Sequence, residues 1–319
     1  MEQKISLSVI IVNWNVKQFL KECLESIKKN IKNVNYEIIV VDNNSNDNSV
    51  DMLKCFFPEV ILIQNKTNLG FAKANNHAIK ISVGNYILLL NPDTVVLSDL
   101  AEQMLAFMEA AKDVGVCGCR LISPQNPDAP FNVGWLKFPS LKHEMYSDTF
   151  LERIVSKMQK KNTEKIIKLE MSKPVETDWV SGACLMIRKK TVEQVGLMDE
   201  NIFLYAEDVE WCYRIKKEYG WKIYVLPYVE VIHYGQQSMK KDKNINWLIH
   251  YYHGRYRFFQ KYANKYLFLC VRIIKTILFF VEYVRNVICL MISADKEKYI
   301  KKLQIYNGLI KIVLGVDFV

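Results

Sequence analysis

Short apolar, β-branched runs recur along the first third of the chain. Each gives way to a polar cluster and then to a stretch of helical spacing. Leu7–Val12 (Leu-Ser-Val-Ile-Ile-Val) predicts a buried strand ending at Asn13-Trp14-Asn15. Val16–Asn30 places Phe19, Leu20, Cys23, Leu24 and Ile27 on one helical face and ends in Lys28-Lys29-Asn30, where cations suit the helix dipole. Tyr36–Val41 predicts a second strand, running into the polar loop Asp42–Ser49, which can cap a helix over Ser49–Phe57. Val60–Gln64 predicts a third strand, Ala72–Ser82 a helix entered through Asn68-Leu69-Gly70-Phe71, and Tyr86–Leu90 a fourth strand. Unbroken apolar runs of this kind suit strands covered on both faces, and the β-α-β-α-β-α-β order is that of a doubly wound α/β sheet.

The pattern continues less regularly. Leu97–Ala111 predicts an amphipathic helix and Val114–Leu121 a strand. Glu176–Ile187 predicts a strand with the small residues Ser181-Gly182-Ala183 in its middle, where a ligand or another backbone could approach. A short helix over Thr191–Val195 stops at Gly196, a longer one covers Ala206–Tyr219, and Lys222–Leu226 reads as a further strand. Residues 123–173 break the rhythm with Pro124, Pro127, Pro130 and Pro139, the aromatics Phe131, Trp135, Phe138 and Tyr146, and then a lysine-rich amphipathic helix. A connection this long over an α/β core is either functional or disordered, and we read it as an acceptor-side lid. The expected organisation is one α/β domain over 1–240 and a helical tail over 241–319.

Composition narrows the class. At 319 residues, half of them apolar and a quarter charged, the chain is globular. The net charge of +9 is concentrated late: from Gln237 onward there are 15 Lys and Arg against 5 Asp and Glu. That asymmetry points to an anionic partner surface, or else to a solvated helix face. The eight cysteines form no Cys-x-x-Cys and no zinc spacing, so free thiols in a reducing compartment are expected. Met1–Leu7 lacks the basic and apolar regions of a secretory signal. No Gly-x-Gly-x-x-Gly follows the first strand and no Gly-x-x-x-x-Gly-Lys-Ser/Thr occurs, which argues against a dinucleotide site and a P-loop. The basic region is apolar and carries no nucleic-acid motif, so no nucleic-acid partner is expected.

Candidate chemistry lies just past the strand ends. Asn13–Asn15, Asp42–Asn48 and Asn91-Pro92-Asp93 follow three of them, and in open α/β sheets such ends line one crevice. Pro92 stops its strand, leaving Asp93 placed to hold a metal on a diphosphate, although Asn-Pro-Asp is equally a plain turn. Asp42 can accept from a base or ribose, and Asn68 and Gly70 suit a loop close to a ligand. Glu207 and Asp208 fall in a first helical turn. The dipole alone explains acids there; the functional alternative is a general base. His233 follows a strand and is either structural or a metal partner.

Taken together and in order, these clusters resemble glycosyltransferase family 2, and among its members the bacterial rhamnosyltransferase-type enzymes of surface polysaccharide synthesis. The matching stretches are Val9–Asn15, Val41–Ser45, Asn68–Ala72 with Asn75, Leu90–Asp93, Val180–Ala183, Glu207-Asp208 with Arg214, and His233. The resemblance implies a GT-A fold, a dTDP- or UDP-sugar donor and inversion at the anomeric carbon. It implies that Asn13, Asn15, Asp42, Asn44, Asn68, Gly70, Asn75 and Asn91 surround the donor nucleotide, and that Ser181, Gly182, Glu207 and Arg214 lie on the donor and acceptor side. Asp208 would be the catalytic base, with Asp93 and His233 near a divalent metal, Mg or Mn. Asn91 stands where many members carry an Asp, which removes one negative charge from that position. The Gln-x-x-Arg-Trp of processive relatives is absent after Asp208, so one sugar per acceptor visit is expected. A nucleotide-sugar-binding scaffold without activity is the alternative.

The tail adds a second expectation. Asn246–Tyr266 reads as helical, and Tyr266–Ile292 is long enough to cross a bilayer, but Arg272, Lys275, Glu282 and Arg285 interrupt it. At 100° per residue these four fall in an arc of roughly 140°. The expectation is an amphipathic helix lying on the cytoplasmic face of the inner or plasma membrane, its charged arc toward anionic headgroups. Such a protein would be peripheral and would suit an acceptor on a polyprenyl diphosphate lipid. Packing on the enzyme or in a homodimer seam is the alternative. Tyr299–Leu314 forms a last amphipathic stretch.

Overall fold

The computed structural model describes residues 5–127, 136–147, 172–235, 246–293 and 295–315. Pro130, Phe131, Trp135 and the lysine-rich stretch expected to be helical between 148 and 171 lie outside these residues. The chain forms two compact units. Of the described residues, the first holds 5–127, 136–138, 172–203 and 207–235; the second holds 139–147, 204–206 and the helices from 246 on. Residues 139–147 therefore group with the tail.

The first unit is built on a sheet of nine described strands. Chain order runs β1 (Leu7–Asn13), α1 (Lys17–Asn30), β2 (Tyr36–Asp42), α2 (Ser49–Phe56), β3 (Ile61–Gln64), α3 (Phe71–Ile81), β4 (Tyr86–Leu90), β5 (Thr94–Val96), α4 (Leu100–Ala110) and β6 (Val114–Ile122). After residues of the second unit come β7 (Val175–Glu176), β8 (Cys184–Arg188), α6 (Lys189–Val195), α7 (Glu207–Tyr213) and β9 (Lys222–His233). Across the sheet the order is β3-β2-β1-β4-β8-β6-β9-β5, with β7 beside β9. β1 to β4, β6 and β9 run one way; β5, β7 and β8 oppose them.

Strand alternation divides the core into two layers. Leu7, Val9 and Ile11 face one side with Ile38 and Val40, packed by Leu20 and Leu24 of α1, Leu53 of α2 and Met104 of α4. Ile10, Val12, Ile39 and Val41 face the other, packed by Ala74 and Ala78 of α3, Val192 of α6 and Trp211 of α7. Both faces are covered, which is why these strands are apolar without interruption.

Two irregularities shape the far half of the sheet. The stretch expected as one strand over Glu176–Ile187 is two strands, and Ser181-Gly182-Ala183 lies in the turn before β8 rather than within a strand. β9 is longer than expected. It carries Pro227-Tyr228-Val229 as extra residues where its register with β6 jumps from Cys119/Leu226 to Arg120/Glu230. Pro227 cannot donate to a ladder, so it sits where pairing is interrupted. Beyond this bulge β9 pairs with β5, setting His233 opposite Thr94.

The second unit contains α5 (Leu141–Glu144), α8 (Asn246–Tyr262), α9 (Lys265–Ile292) and α10 (Lys296–Leu314). Asn264 caps α9 by accepting the Tyr266 and Leu267 N–H groups, each at 3.1 Å. Tyr252, Tyr256, Phe268 and Phe279 stack edge-on or tilted in its core. Within the same core the Glu144 carboxylate meets Arg255 at 2.6 Å and Lys275 at 3.8 Å. The Lys275 ammonium also donates to the Ser147 backbone and hydroxyl. This corrects the expectation for two of the four charged residues in the α9 arc. Lys275 and Glu282 are buried, facing inward with Asn286; Lys275 finds Glu144 and the Ser147 carbonyl there, whereas Glu282 pairs with Arg285 on α9 itself and Asn286 donates to the Glu282 carbonyl. Arg272 is half-buried and Arg285 stays exposed at the margin of an outward side that is otherwise apolar. Among the described residues no helix is long and apolar enough to cross a membrane.

Candidate active site

The parallel register brings strand ends to one edge of the first unit. Asn13 at the end of β1 lies opposite Asp42 at the end of β2, and Gln64 at the end of β3 lies opposite Asp42 on its other side. Leu90, last residue of β4, lies opposite Ile11. β8 runs the other way, so its start reaches this edge: the Asn91 N–H donates to the Ala183 carbonyl at 3.0 Å. Strand order reverses between β1 and β4, the position at which α/β sheets open a crevice.

Asn13 and Asp42 are both buried and bonded to each other. The Asn13 Nδ2 donates to Asp42 Oδ1 at 2.7 Å and to Ser45 Oγ at 3.0 Å, and Asp42 Oδ2 accepts the Ser45 N–H at 2.9 Å. Asn13 Oδ1 is buried with no hydrogen-bond partner. Asn15 holds the loop from the other side: its N–H donates to Ser45 Oγ and its Oδ1 accepts the Asn46 N–H. Asn15 and Asn44 have φ near +60°, a conformation that asparagine tolerates better than most side chains, and Asn44 is exposed. Three neighbours have no individual role assigned from the sequence, although Asn43 and Ser45 fall within its Val41–Ser45 stretch. Ser45 links Asn13 to Asn15; Asn43 donates to the Gly70 carbonyl at 3.1 Å; Asn65 donates to Asn43 at 2.8 Å. Their one sequence signal is the run of asparagines after each strand end.

The Asn68–Phe71 loop meets the same edge. Asn68 Oδ1 accepts the Gly70 N–H at 3.0 Å. Gly70 has φ +80° and ψ −179°, a region open in practice to glycine alone, and a Cβ there would lie 2.3 Å from the Phe203 carbonyl oxygen. Asn75 turns back on its own helix, donating to the Phe71 carbonyl at 2.9 Å.

Asp93 and His233 meet across the β5–β9 pair. His233 Nε2 is 3.3 Å from Asp93 Oδ1 and 3.4 Å from Asn91 Nδ2. Asp93 is 5% exposed. Among the described residues no group of three or more His, Cys, Asp and Glu could hold an ion on its own. A carboxylate and an imidazole at this separation instead suit an ion that arrives on a substrate and keeps phosphate and water ligands.

Asp208, in the first turn of α7, accepts the Gly182 N–H on Oδ2 at 2.9 Å and the Val209 N–H on Oδ1 at 2.8 Å. Gly182 is close-packed, since a Cβ there would meet the Phe71 ring at 3.0 Å and lie 3.8 Å from the Asp208 Cβ. Burial raises the Asp208 pKa, and these two N–H groups oppose the rise. Ser181 turns its hydroxyl to the Ala183 N–H. Glu207 is buried, with Oε2 unpartnered, and its pKa is held well above the ordinary carboxyl value, first by burial and then by the Asp208 charge. Arg214 lies one helical turn beyond the acids. It donates to Glu210 and to the Val195 and Leu197 carbonyls, so its guanidinium braces α7 against the end of α6.

The sequence profile of glycosyl transferase family 2 matches residues 8–160, and that of glycosyl transferase family group 2 matches residues 86–294. The chain is 26% identical over 311 residues to a dTDP-rhamnosyl transferase of Shigella flexneri, covering 93% of this chain and 92% of the relative. It is 25% identical over 251 residues to the N-acetylglucosaminyl-diphospho-decaprenol L-rhamnosyltransferase of Mycobacterium tuberculosis, covering 74% and 78%. It also matches a low-salt glycan biosynthesis hexosyltransferase of Haloferax volcanii at 25% identity, spanning 62% of that relative's length. Among solved structures, the mannosyltransferase from Pyrobaculum calidifontis in complex with GDP-Man and Mn2+ shares the fold. The TM-score is 0.57 over 99% of this chain and 89% of that one, at 14% identity. The sheet is accordingly the α/β, largely parallel GT-A type. With profile matches running from residue 8 to residue 294, the chain belongs to the glycosyl transferases of family 2.

Proposed function

We propose that this enzyme is an inverting glycosyltransferase. It moves one sugar, rhamnose or another hexose, from a dTDP- or UDP-sugar to a hydroxyl of a glycan carried on a polyprenyl diphosphate lipid. It works in cell-surface polysaccharide synthesis, at the cytoplasmic face of the inner or plasma membrane. The observation that carries the reading is Asp208, held by Gly182 in the unit that also gathers Asn13 with Asp42 and Asp93 with His233. Two relatives are named for rhamnosyl transfer, one for a dTDP donor and one for a diphospho-decaprenol acceptor.

The chemistry follows from these groups. An acceptor hydroxyl attacks the anomeric carbon from the side opposite the departing diphosphate, which inverts that carbon. The hydroxyl must shed its proton as it bonds, and the Asp208 carboxylate accepts it. Burial makes that carboxylate more basic, while the Gly182 and Val209 N–H groups keep it aimed. Asp42 and the asparagines around it offer acceptors and donors for base and ribose. Asp93 and His233 would hold a divalent ion, Mg or Mn, carried in on the diphosphate. When bound, that ion neutralises charge on the leaving group.

The test is a calorimetric panel of UDP, dTDP and GDP with and without Mn2+, followed by transfer assays. One diphosphate is expected to bind, and more tightly with metal. Asp208→Asn is expected to lower turnover by about 10²- to 10⁴-fold while leaving nucleotide affinity unchanged. Wild-type turnover in that variant would remove Asp208 as the base. A folded chain that binds no nucleotide would point instead to a scaffold.

A further inference from the structure

α9 is built inside out. On a soluble protein a surface helix buries its apolar stripe and hydrates its polar one. Here Lys275, Glu282 and Asn286 are on the buried side, and the opposite side presents Ile273, Ile277, Phe280, Ile288, Met291 and Ile292, each more than half exposed. At 100° per residue the two sets lie on opposite faces. The apolar face continues from Tyr266 to Ile292, about 40 Å at ~1.5 Å per residue. A continuous apolar face of that length on a soluble chain marks a surface that something covers.

The flanks indicate what covers it. Exposed cations stand at both ends: Lys261 and Lys265 before the stripe, and Lys296, Lys298 and Lys301 beyond it, where they outnumber the exposed Asp295 and Glu297, the latter paired with Lys301. Lys265 lies over the exposed Tyr266 ring at 5.0 Å, and Lys298 over Tyr299 at 5.9 Å. An aromatic ring with an ammonium beside it, at each end of an apolar stretch, suits the headgroup layer of a bilayer. A second copy fits less well. A two-fold contact between these faces would bring lysine-bearing ends onto lysine-bearing ends, whereas anionic lipid complements them. No described helix can span, so the helix lies in the surface.

We propose that the outer face of α9 is the docking surface of this protein on an anionic lipid bilayer, with its apolar side toward the acyl chains and the flanking lysines among the headgroups. The proposal rests on the membrane-bound acceptor read above, and it reverses which side of α9 meets the lipid.

The experiment is co-sedimentation of the full chain with vesicles of phosphatidylglycerol and phosphatidylcholine, and with phosphatidylcholine alone. Wild type is expected to sediment with the anionic vesicles. Ile277→Glu combined with Phe280→Glu, at two exposed positions, is expected to lower that partition at least tenfold with an unchanged melting temperature. Lys265→Glu with Lys298→Glu is expected to abolish the preference for phosphatidylglycerol. Undiminished sedimentation of the Ile277/Phe280 variant would overturn the assignment of this face while leaving a lipid-linked acceptor intact, since sedimentation does not depend on catalysis. A wild-type chain that ignores both vesicles, and forms a dimer that the same variant dissociates, would overturn it in favour of a second copy.

Discussion

Asp208 and Glu207 are adjacent carboxyls with different surroundings. Asp208 has two N–H donors; Glu207 has a buried oxygen with none. Two pH effects follow. A base works only when ionised, and the Asp208 pKa is raised, so transfer is expected to fail on the acid side above the ordinary aspartate midpoint of about 3.9; a pH–rate profile reads this directly. Glu207 titrates higher in the folded chain than in the unfolded one, so the fold binds its proton more tightly. Its stabilising contribution is complete below the unfolded pKa and is lost as pH rises through the folded one. Glu207→Gln is therefore expected to flatten that fall, seen as a smaller drop in melting temperature between acid and neutral pH. Asn91 offers a third test at this scale. It lies 3.4 Å from His233 Nε2, so Asn91→Asp would set a second carboxylate beside the Asp93–His233 pair. Tighter Mn2+ binding in the presence of nucleoside diphosphate is expected by calorimetry.

Among elements, the Asn68–Phe71 loop is the most constrained. Gly70 combines a glycine-only backbone with a carbonyl oxygen where a Cβ would go. Gly70→Ala is expected to destabilise the first unit by about 1–3 kcal/mol or more, measurable by urea unfolding. Here the sequence was readable, because a glycine between Asn-Leu and a helix start marks a tight turn or a close approach of backbone. The first four strands and three helices were equally readable, since two covered faces leave long apolar runs. Ser181-Gly182-Ala183 was misplaced within a strand because periodicity cannot tell a turn of small residues from a strand interior. The expected strand stops at Leu226 because Pro227 cannot pair, so neither the continuation of β9 through Val229 and Val231 nor the bulge between is legible there. The effect of the bulge is large, since the pairing that sets His233 beside Asp93 lies beyond it. For α9, helical spacing separated the charged and apolar faces correctly. Which face turns inward depends on Glu144, more than 120 residues earlier, and on Arg255, partners that local spacing cannot reveal.

At the scale of the whole molecule, the sheet is stitched from distant segments. β1 to β4 close among themselves within the first ninety residues. β6 does not touch β4; β8 lies between them, and β9 then pairs on β6 from a hundred residues further on. Reversed strand β8 is thus a keystone that arrives late in synthesis. A growing chain can fold its first half while β6 has neither of its neighbours, and non-local pairing of this kind is slow. Refolding is expected to be sequential: amides of β1, β2 and β4 gain protection from hydrogen exchange before those of β6. Until residues 184–188 emerge, the open edge of β4 is an unpaired strand, and the nascent protein is most exposed to aggregation in that interval.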